Sequence, residues 1–158
     1  MQNNLLLSLR YRLALFFLLM IWCAGIFIEW LVNLNGHLLI LLPFLRKTYS
    51  LVCHQEKLKL ISYGTTETLT CARCTGIYVG LFIVSFAFLF YAPKLKLKIK
   101  YLFIAAVPML FDVALSSFKL YQYSKTIAFI TGYLLGSTGF LYLCNGLNNL
   151  IDELKTRK

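Results

Sequence analysis

The chain has 158 residues, of which 59% are hydrophobic and only 14% are charged. Soluble domains carry about 25% charged residues, so this composition excludes an ordinary water-soluble globular domain. The net charge of +10 does not point to a nucleic-acid partner, because the basic residues lie in loops and at the ends of apolar segments rather than in one patch. The length is that of a single domain, which we place at 1–158.

Four apolar segments follow one another along the chain, each close to the ~20 residues that cross a bilayer as a helix. They are 13–32, 75–92, 101–118 and 127–151. None alternates apolar and polar residues as a β-strand does, and a helix satisfies its own backbone hydrogen bonds in lipid. The sequence therefore predicts an all-α membrane protein, a bundle of about four transmembrane helices in contact with the lipid bilayer.

The first segment follows Arg10 and Arg12, as the core of a signal peptide would. It is too long for such a core and ends at Glu29 and Trp30 without a small-residue cleavage site, so we interpret it as a retained helix. The loop that follows, 33–74, begins with an apolar stretch at 37–45 that is too short to cross. We expect a short interfacial or re-entrant helix there.

The basic residues also predict the orientation. With four crossings, one side holds nine of the 16 Lys and Arg residues and the other side holds seven. The nine are Arg10, Arg12, Lys94, Lys96, Lys98, Lys100, Lys155, Arg157 and Lys158. Short basic loops stay in the cytoplasm, which predicts a multi-pass protein of the cytoplasmic (inner) membrane with both termini cytoplasmic. The loop 33–74 is then extracytoplasmic.

Two pairs of glycines stand four residues apart, Gly76 with Gly80 and Gly132 with Gly136. Small residues at this spacing let helix backbones approach closely in a membrane. The pattern favours packing of the second predicted helix on the fourth. The alternative is that these glycines form the face of a homodimer.

Four residues form the strongest chemical signal in the chain: Cys53, His54, Cys71 and Cys74. A CxxC pair with a second Cys/His pair upstream approaches the spacing of a structural zinc site. Adjacent side chains such as Cys53 and His54 point in divergent directions, so His54 competes with an outside group as the fourth ligand. We expect the three cysteine sulfurs to converge at the outer end of the second helix.

A redox role is the alternative for the same cysteines. Cys71 and Cys74 lie at a predicted helix N-terminus beside Arg73, where the helix dipole and the guanidinium favour thiolate. With Cys53 as a third thiol, they could exchange disulfides with a partner and pass electrons to a membrane quinone. The cysteines could also form one inert disulfide with a spare thiol, because disulfides persist on the predicted side of the membrane.

Two carboxylates fall within the predicted helices, Glu29 and Asp112. A charge at the bilayer centre costs ~2.5–3.5 kcal/mol on insertion scales, so such residues usually face a partner inside the bundle. We expect Asp112 to face the bundle interior, and Glu29, Asp112 and Arg73 to converge near the cysteines.

The motifs CHQ at 53–55 and CARCTGIYVG at 71–80 resemble the signature of a family of small bacterial integral membrane proteins of unknown function. The resemblance extends to PMLFD at 108–112 and TGYLLG at 131–136. The family usually has glycine after the helix aspartate, where this chain has Val113. The resemblance implies no reaction, but it implies one shared site, formed by Cys53, His54, Gln55, Cys71, Arg73, Cys74 and Asp112.

Three functions remain open from the sequence. The first is a membrane protein that binds a metal, zinc above all, at an extracytoplasmic Cys/His site. The second is a quinone-linked thiol–disulfide oxidoreductase, and the third is a structural subunit that assembles with a membrane-protein partner.

Overall fold

The computed structural model describes residues 9–32, 36–64, 66–90, 98–118 and 122–156. In chain order, the elements are α1 (Leu9–Ile26), α2 (Ile28–Val32), a 3₁₀ helix (Gly36–Leu41), α3 (Leu42–Ser50), a 3₁₀ turn (Lys57–Lys59), β1 (Leu60–Tyr63), β2 (Thr66–Cys71), α4 (Ala72–Phe90), α5 (Lys100–Ser117) and α6 (Lys125–Thr156). Of the basic residues used to predict the orientation, Arg157, Lys158, Lys94 and Lys96 lie outside the described residues.

Four helices within the described residues are long and apolar enough to cross a membrane. They are α1, α4, α5 and α6, and they correspond to the four predicted spans. The predicted helix at 13–32 is divided, because the α-helix breaks at Phe27 between α1 and α2. The prediction of an all-α bundle of about four transmembrane helices is confirmed.

Helix α4 lies at the centre of the bundle, packed against α6 on one side and α1 on the other, while α5 packs on α6. The glycine pairs make the α4–α6 contact close. A Cβ at Gly76 would lie 2.2 Å from the Phe129 carbonyl oxygen, and one at Gly136 would lie 2.1 Å from that of Ile77. The predicted packing of the second span on the fourth is therefore confirmed. The four glycines contact the backbone of the facing helix in the same chain.

The two ends of the bundle differ in structure. At one end, the guanidinium of Arg12 lies 5.3 Å from the centre of the Phe88 ring, and the Tyr142 hydroxyl donates to the Lys98 carbonyl. At the other end, the segment 36–71 covers the C-terminus of α1 and the N-terminus of α4. The beginning of α1 and the end of α4 thus lie together, away from the cysteines, as up-and-down packing requires.

A two-stranded antiparallel sheet within the covering segment was not predicted. β1 and β2 pair Leu60 with Cys71 and Tyr63 with Thr66, around a turn where Gly64 has a φ of +63°. The sequence TETLTC does not alternate apolar and polar residues. Three consecutive residues, Thr68, Leu69 and Thr70, are buried instead. A polar stretch of this kind predicts a loop from sequence, whereas the structure forms a strand.

The stretch 37–45, where a short helix was expected, is divided between the 3₁₀ helix at Gly36–Leu41 and helix α3, which continues to Ser50. Tyr49 anchors it to the bundle: its side chain is buried and its hydroxyl donates to the Trp22 carbonyl at 2.6 Å. The ring fills the space beside Gly25, where a Cβ would lie 2.3 Å from the hydroxyl oxygen. With Ile26, Ile28 and Leu69, it forms the apolar core that carries the cysteine segment.

Candidate metal centre

Three cysteines from three different segments meet at the N-terminal end of α4. Cys53 follows α3, Cys71 is the last residue of β2, and Cys74 lies in the first turn of α4. Their Sγ atoms all lie within 4.8 Å of one another. The predicted convergence of the three thiols is confirmed, and we call this group the thiol cluster.

Gln55 positions the segment that carries Cys53. Its side-chain amide donates to two backbone carbonyls, that of Leu69 at 2.9 Å and that of Arg46 at 3.2 Å. These bonds tie the segment to β2 on one side and to α3 on the other. The backbone of Gln55 adopts a φ of +47°, which is uncommon for a residue with a side chain. The third residue of the CHQ motif therefore has a structural role beside the cluster.

The backbone also donates to the cluster. The amide of Cys71 donates to the sulfur of Cys53 at 3.2 Å, and the amide of Cys53 is itself fixed by the Tyr49 carbonyl at 2.9 Å. An amide donor favours the charged form of a sulfur acceptor. Such bonds are therefore of use both to a metal-bound thiolate and to a reactive one.

Hydrogen bonds within the cluster shift the pKa values of Cys53 and Cys71 in opposite directions. Hydrogen bonding by the thiols of Cys71 and Cys74 holds the pKa of Cys53 well below its usual range, against the opposing effect of burial. The pKa of Cys71 is raised in turn, because its thiol proton is engaged by Cys53. The lowered pKa favours a thiolate at Cys53 over one at Cys71.

His54 lies apart from the cluster. Its side chain is exposed, and no imidazole nitrogen belongs to the group of ligand atoms within 4.8 Å. The neighbouring side chain, Cys53, is buried, so the two adjacent residues point in different directions as expected. In this conformation His54 does not complete a tetrahedral set with the three sulfurs.

Arg73, between the two cysteines of the CxxC, turns away toward α5. Its guanidinium forms an ion pair with the buried carboxylate of Asp112 and lies 5.9 Å from the centre of the Tyr123 ring. The expectation that Asp112 faces the bundle interior is met, since it is 4% exposed. Because Asp112 balances its charge, the guanidinium does less to favour thiolate than the sequence suggested.

Glu29 joins a different set of partners, so its predicted convergence with Arg73 and Asp112 is wrong. Its carboxylate forms an ion pair with Arg46 and accepts the backbone amide of Glu67 at 2.9 Å. These contacts join α2 to α3 and β2. Glu29 therefore holds the covering segment to the bundle, and its partners could not be read from sequence spacing.

Hydrogen bonds of three threonine side chains link the sheet to the beginning of α4. Thr68 accepts the Ile61 amide at 3.1 Å and donates to the Thr70 carbonyl at 2.8 Å. The hydroxyls of Thr70 and Thr75 lie 2.9 Å apart. All three threonines are buried, so these bonds fix the position of Cys71 relative to the helix.

The remaining two cysteines lie inside the bundle, as expected of small buried side chains. Cys23 is 7% exposed and Cys144 is 2% exposed. Neither belongs to the thiol cluster.

Comparison with known proteins identifies the part of the chain that contains this site. A family model described as "Predicted membrane protein (DUF2085)" matches residues 53–142. The match begins at Cys53 and includes Cys71, Cys74 and Asp112. The chain belongs to this family. The description agrees with the four spans and names no reaction.

The chain is also similar to a protein of an archaeon. The chain is 33% identical over 98 residues to the uncharacterized protein MJ1492 of the archaeon Methanocaldococcus jannaschii. The match covers 60% of this chain and 63% of the relative's length, so the chain spans less than two thirds of that protein. No solved structure matches the chain at a significant level.

Proposed function

We propose that this protein binds a thiophilic metal, zinc above all, in the thiol cluster at the extracytoplasmic face of the membrane. The observation that carries the proposal is the spacing of the three sulfurs, all within 4.8 Å of one another. At a Zn–S distance of about 2.3 Å and tetrahedral angles, bound thiolates lie about 3.8 Å apart. Small side-chain rotations suffice to close the cluster on an ion.

The chemistry of the donors supports the same proposal. Thiolates are soft ligands that select zinc and copper(I) over magnesium and calcium. The amide of Cys71 donates to the sulfur of Cys53, and the lowered pKa of Cys53 favours the thiolate form that a metal binds. Three protein ligands leave one tetrahedral position, which we assign to water or an outside group because His54 points elsewhere.

Serine variants of the cluster test this proposal. Cys53→Ser, Cys71→Ser and Cys74→Ser each remove one thiolate, so each should lower zinc affinity by about 100-fold or more and lower the thermal stability gained from zinc. Cys144→Ala is the matched control, because it removes a buried thiol outside the cluster. Equal zinc affinity in all four variants and the parent protein would overturn the proposal.

The proposal also includes the location of the thiol cluster on the extracytoplasmic side of the membrane. The covering segment and the thiol cluster lie at one end of the bundle, and the beginning of α1 lies at the other. A single cysteine introduced at Thr66 in a Cys-free background should react with an impermeant maleimide added outside intact cells. Reaction only after permeabilisation would place the cluster in the cytoplasm.

A thiol–disulfide oxidoreductase is the second candidate, favoured by the thiolate on Cys53 beside the CxxC. An apolar cavity of about 570 Å³ between α1 and α4 is the place where a quinone could enter from the bilayer. Its lining includes Cys23 and Thr75, but the thiol of Cys23 contacts the Tyr78 carbonyl and the hydroxyl of Thr75 contacts Thr70. Because these groups are engaged, the cavity favours hydrocarbon over a quinone carbonyl, and we rank this candidate second.

A further inference from the structure

Arg73 is held from three directions although it lies between two candidate metal ligands. Its guanidinium pairs with Asp112 of α5, and it also lies near the ring of Tyr123. Its carbonyl oxygen lies against Gly132 of α6, where a Cβ would approach to 2.3 Å. Arg73, one of the two residues between Cys71 and Cys74, is therefore fixed at both its backbone and its side chain.

These contacts have a direct consequence for the cysteines. In a CxxC at a helix start, the positions of the two sulfurs depend on the backbone of the residues between them. The close contact with Gly132 opposes a shift of the Arg73 backbone toward α6, and the ion pair with Asp112 restrains its side chain. The ion pair is mostly out of solvent, with exposed side-chain fractions of 16% for Arg73 and 2% for Asp112.

The buried ion pair of Arg73 and Asp112 contributes little to the stability of the fold. Burying an ion pair costs desolvation energy that its attraction barely repays, and an apolar pair of similar volume is often as stable. Helix α5 packs mainly on α6 and does not need this pair for its principal contact. Stability alone is therefore a weak reason for placing Arg73 and Asp112 in the bundle.

We infer that Asp112 and Gly132 are positioning residues for the metal site, which they hold in its binding geometry by clamping Arg73. This inference rests on the proposed metal-binding function and deepens it. Partners that orient metal ligands typically contribute about 10-fold to 100-fold to metal affinity. We expect effects of that size from residues in α5 and α6 that contact no metal.

Cobalt(II) titration of the purified full chain in detergent tests the inference, because the absorption bands of cobalt report both affinity and ligand geometry. Asp112→Asn should lower cobalt affinity by about 10-fold to 100-fold and weaken the tetrahedral bands. Asp112→Glu should recover part of both. The double variant Arg73→Met with Asp112→Leu should retain the thermal stability of the metal-free protein and still lose cobalt affinity.

Gly132 offers a matched control one turn away on the same helix. Gly132→Ala would push on the Arg73 carbonyl, whereas Gly136→Ala would push on the Ile77 carbonyl with a similar approach of 2.1 Å. Both disturb the α4–α6 contact, but only Gly132→Ala acts next to the cysteines. Cobalt affinity should therefore fall more in Gly132→Ala than in Gly136→Ala.

The outcomes separate the inference from the function on which it rests. If the parent protein binds cobalt and zinc and the Asp112 variants bind them equally well, the positioning role is overturned and the metal site stands. Equal losses of cobalt affinity in Gly132→Ala and Gly136→Ala would also overturn the positioning role, because they would show that only the general packing of α4 on α6 matters. If the parent protein binds neither metal, the proposed function itself fails.

Discussion

At the residue scale, the three cysteines of the thiol cluster are held in place by neighbouring residues that do not belong to the cluster. Gln55 donates to two carbonyls and holds the segment of Cys53, and the buried threonines fix Cys71 against α4. Asp112 and Gly132 hold Arg73, which lies between Cys71 and Cys74 beside Ala72. The sulfurs are thus brought together by contacts from α3, β2, α5 and α6, which is the pattern expected of ligands oriented by their outer partners.

Gln55→Glu is the sharpest single test of this support. The new carboxylate has the same shape but faces the carbonyls of Leu69 and Arg46, so two donated hydrogen bonds become repulsive contacts. We expect a loss of about 1–3 kcal/mol in the free energy of unfolding. Zinc affinity should fall as well, although Gln55 is not a ligand.

Thermal unfolding in detergent, with and without zinc, measures both effects. Gln55→Leu is the control, since it removes the donors without adding an acceptor and should cost less than Gln55→Glu. A Gln55→Glu protein as stable as the parent would show that the amide does not hold the Cys53 segment.

The charge on Cys53 predicts how zinc binding depends on pH. The lowered pKa means that Cys53 is already ionised near neutral pH, while Cys71 has a raised pKa and retains its proton. Zinc then displaces about two protons from the three cysteines rather than three. The logarithm of the zinc affinity should therefore rise by about two for each pH unit between pH 6 and 8.

Calorimetry in buffers of different ionisation enthalpy counts the released protons directly. In the metal-free protein, the lowered pKa of Cys53 contributes stability that is present above the pKa of an unfolded thiol and is lost as pH falls through the folded value. The raised pKa of Cys71 acts in the opposite sense. Release of three protons near pH 7 would contradict the presence of a thiolate in the metal-free cluster.

At the element scale, the sequence predicted those features that depend on local pattern. The four spans follow from apolar length, and the α4–α6 contact follows from glycines four residues apart. The sheet formed by β1 and β2 could not be predicted, because β2 buries three consecutive residues and is stabilised by threonine side chains rather than by an apolar face.

Helix α3 and the preceding 3₁₀ helix present an apolar surface away from the bundle. Ile40 is 87% exposed and Phe44 is 69% exposed, and Arg46 and Lys47 follow directly. Apolar residues beside basic ones are typical of helices that lie in the headgroup region of a membrane. We expect this surface to rest in the outer leaflet, with Tyr49 holding it to α1.

Fluorescence quenching tests the position of α3. Phe44→Trp, in a background where Trp22 and Trp30 are replaced by Phe, should be quenched by lipids brominated near the headgroup. A tryptophan at the exposed residue Tyr63 is the matched control and should be quenched less. Equal quenching at both positions, or none at Phe44→Trp, would contradict an interfacial α3.

At the scale of the whole molecule, the fold has a membrane-spanning part and a covering segment with different tasks. The spans α1, α4, α5 and α6 form the scaffold, and the segment 36–71 supplies Cys53 and Cys71. The sequence could assign the cysteines to one site through motif spacing and resemblance. It could not predict that Glu29 pairs with Arg46, because that ion pair depends on how α2 and α3, which are distant in sequence, pack together.

The central claim is that the thiol cluster holds a metal, and the metal content of the protein tests it most directly. The protein should be purified from membranes in detergent without chelators or added metal, and its zinc and free thiols should be counted together. We expect about one zinc per chain, lost on replacement of Cys71 by serine and retained on replacement of Cys144 by alanine. A parent protein without bound metal, which takes up none when zinc is supplied under reducing conditions, would contradict the claim.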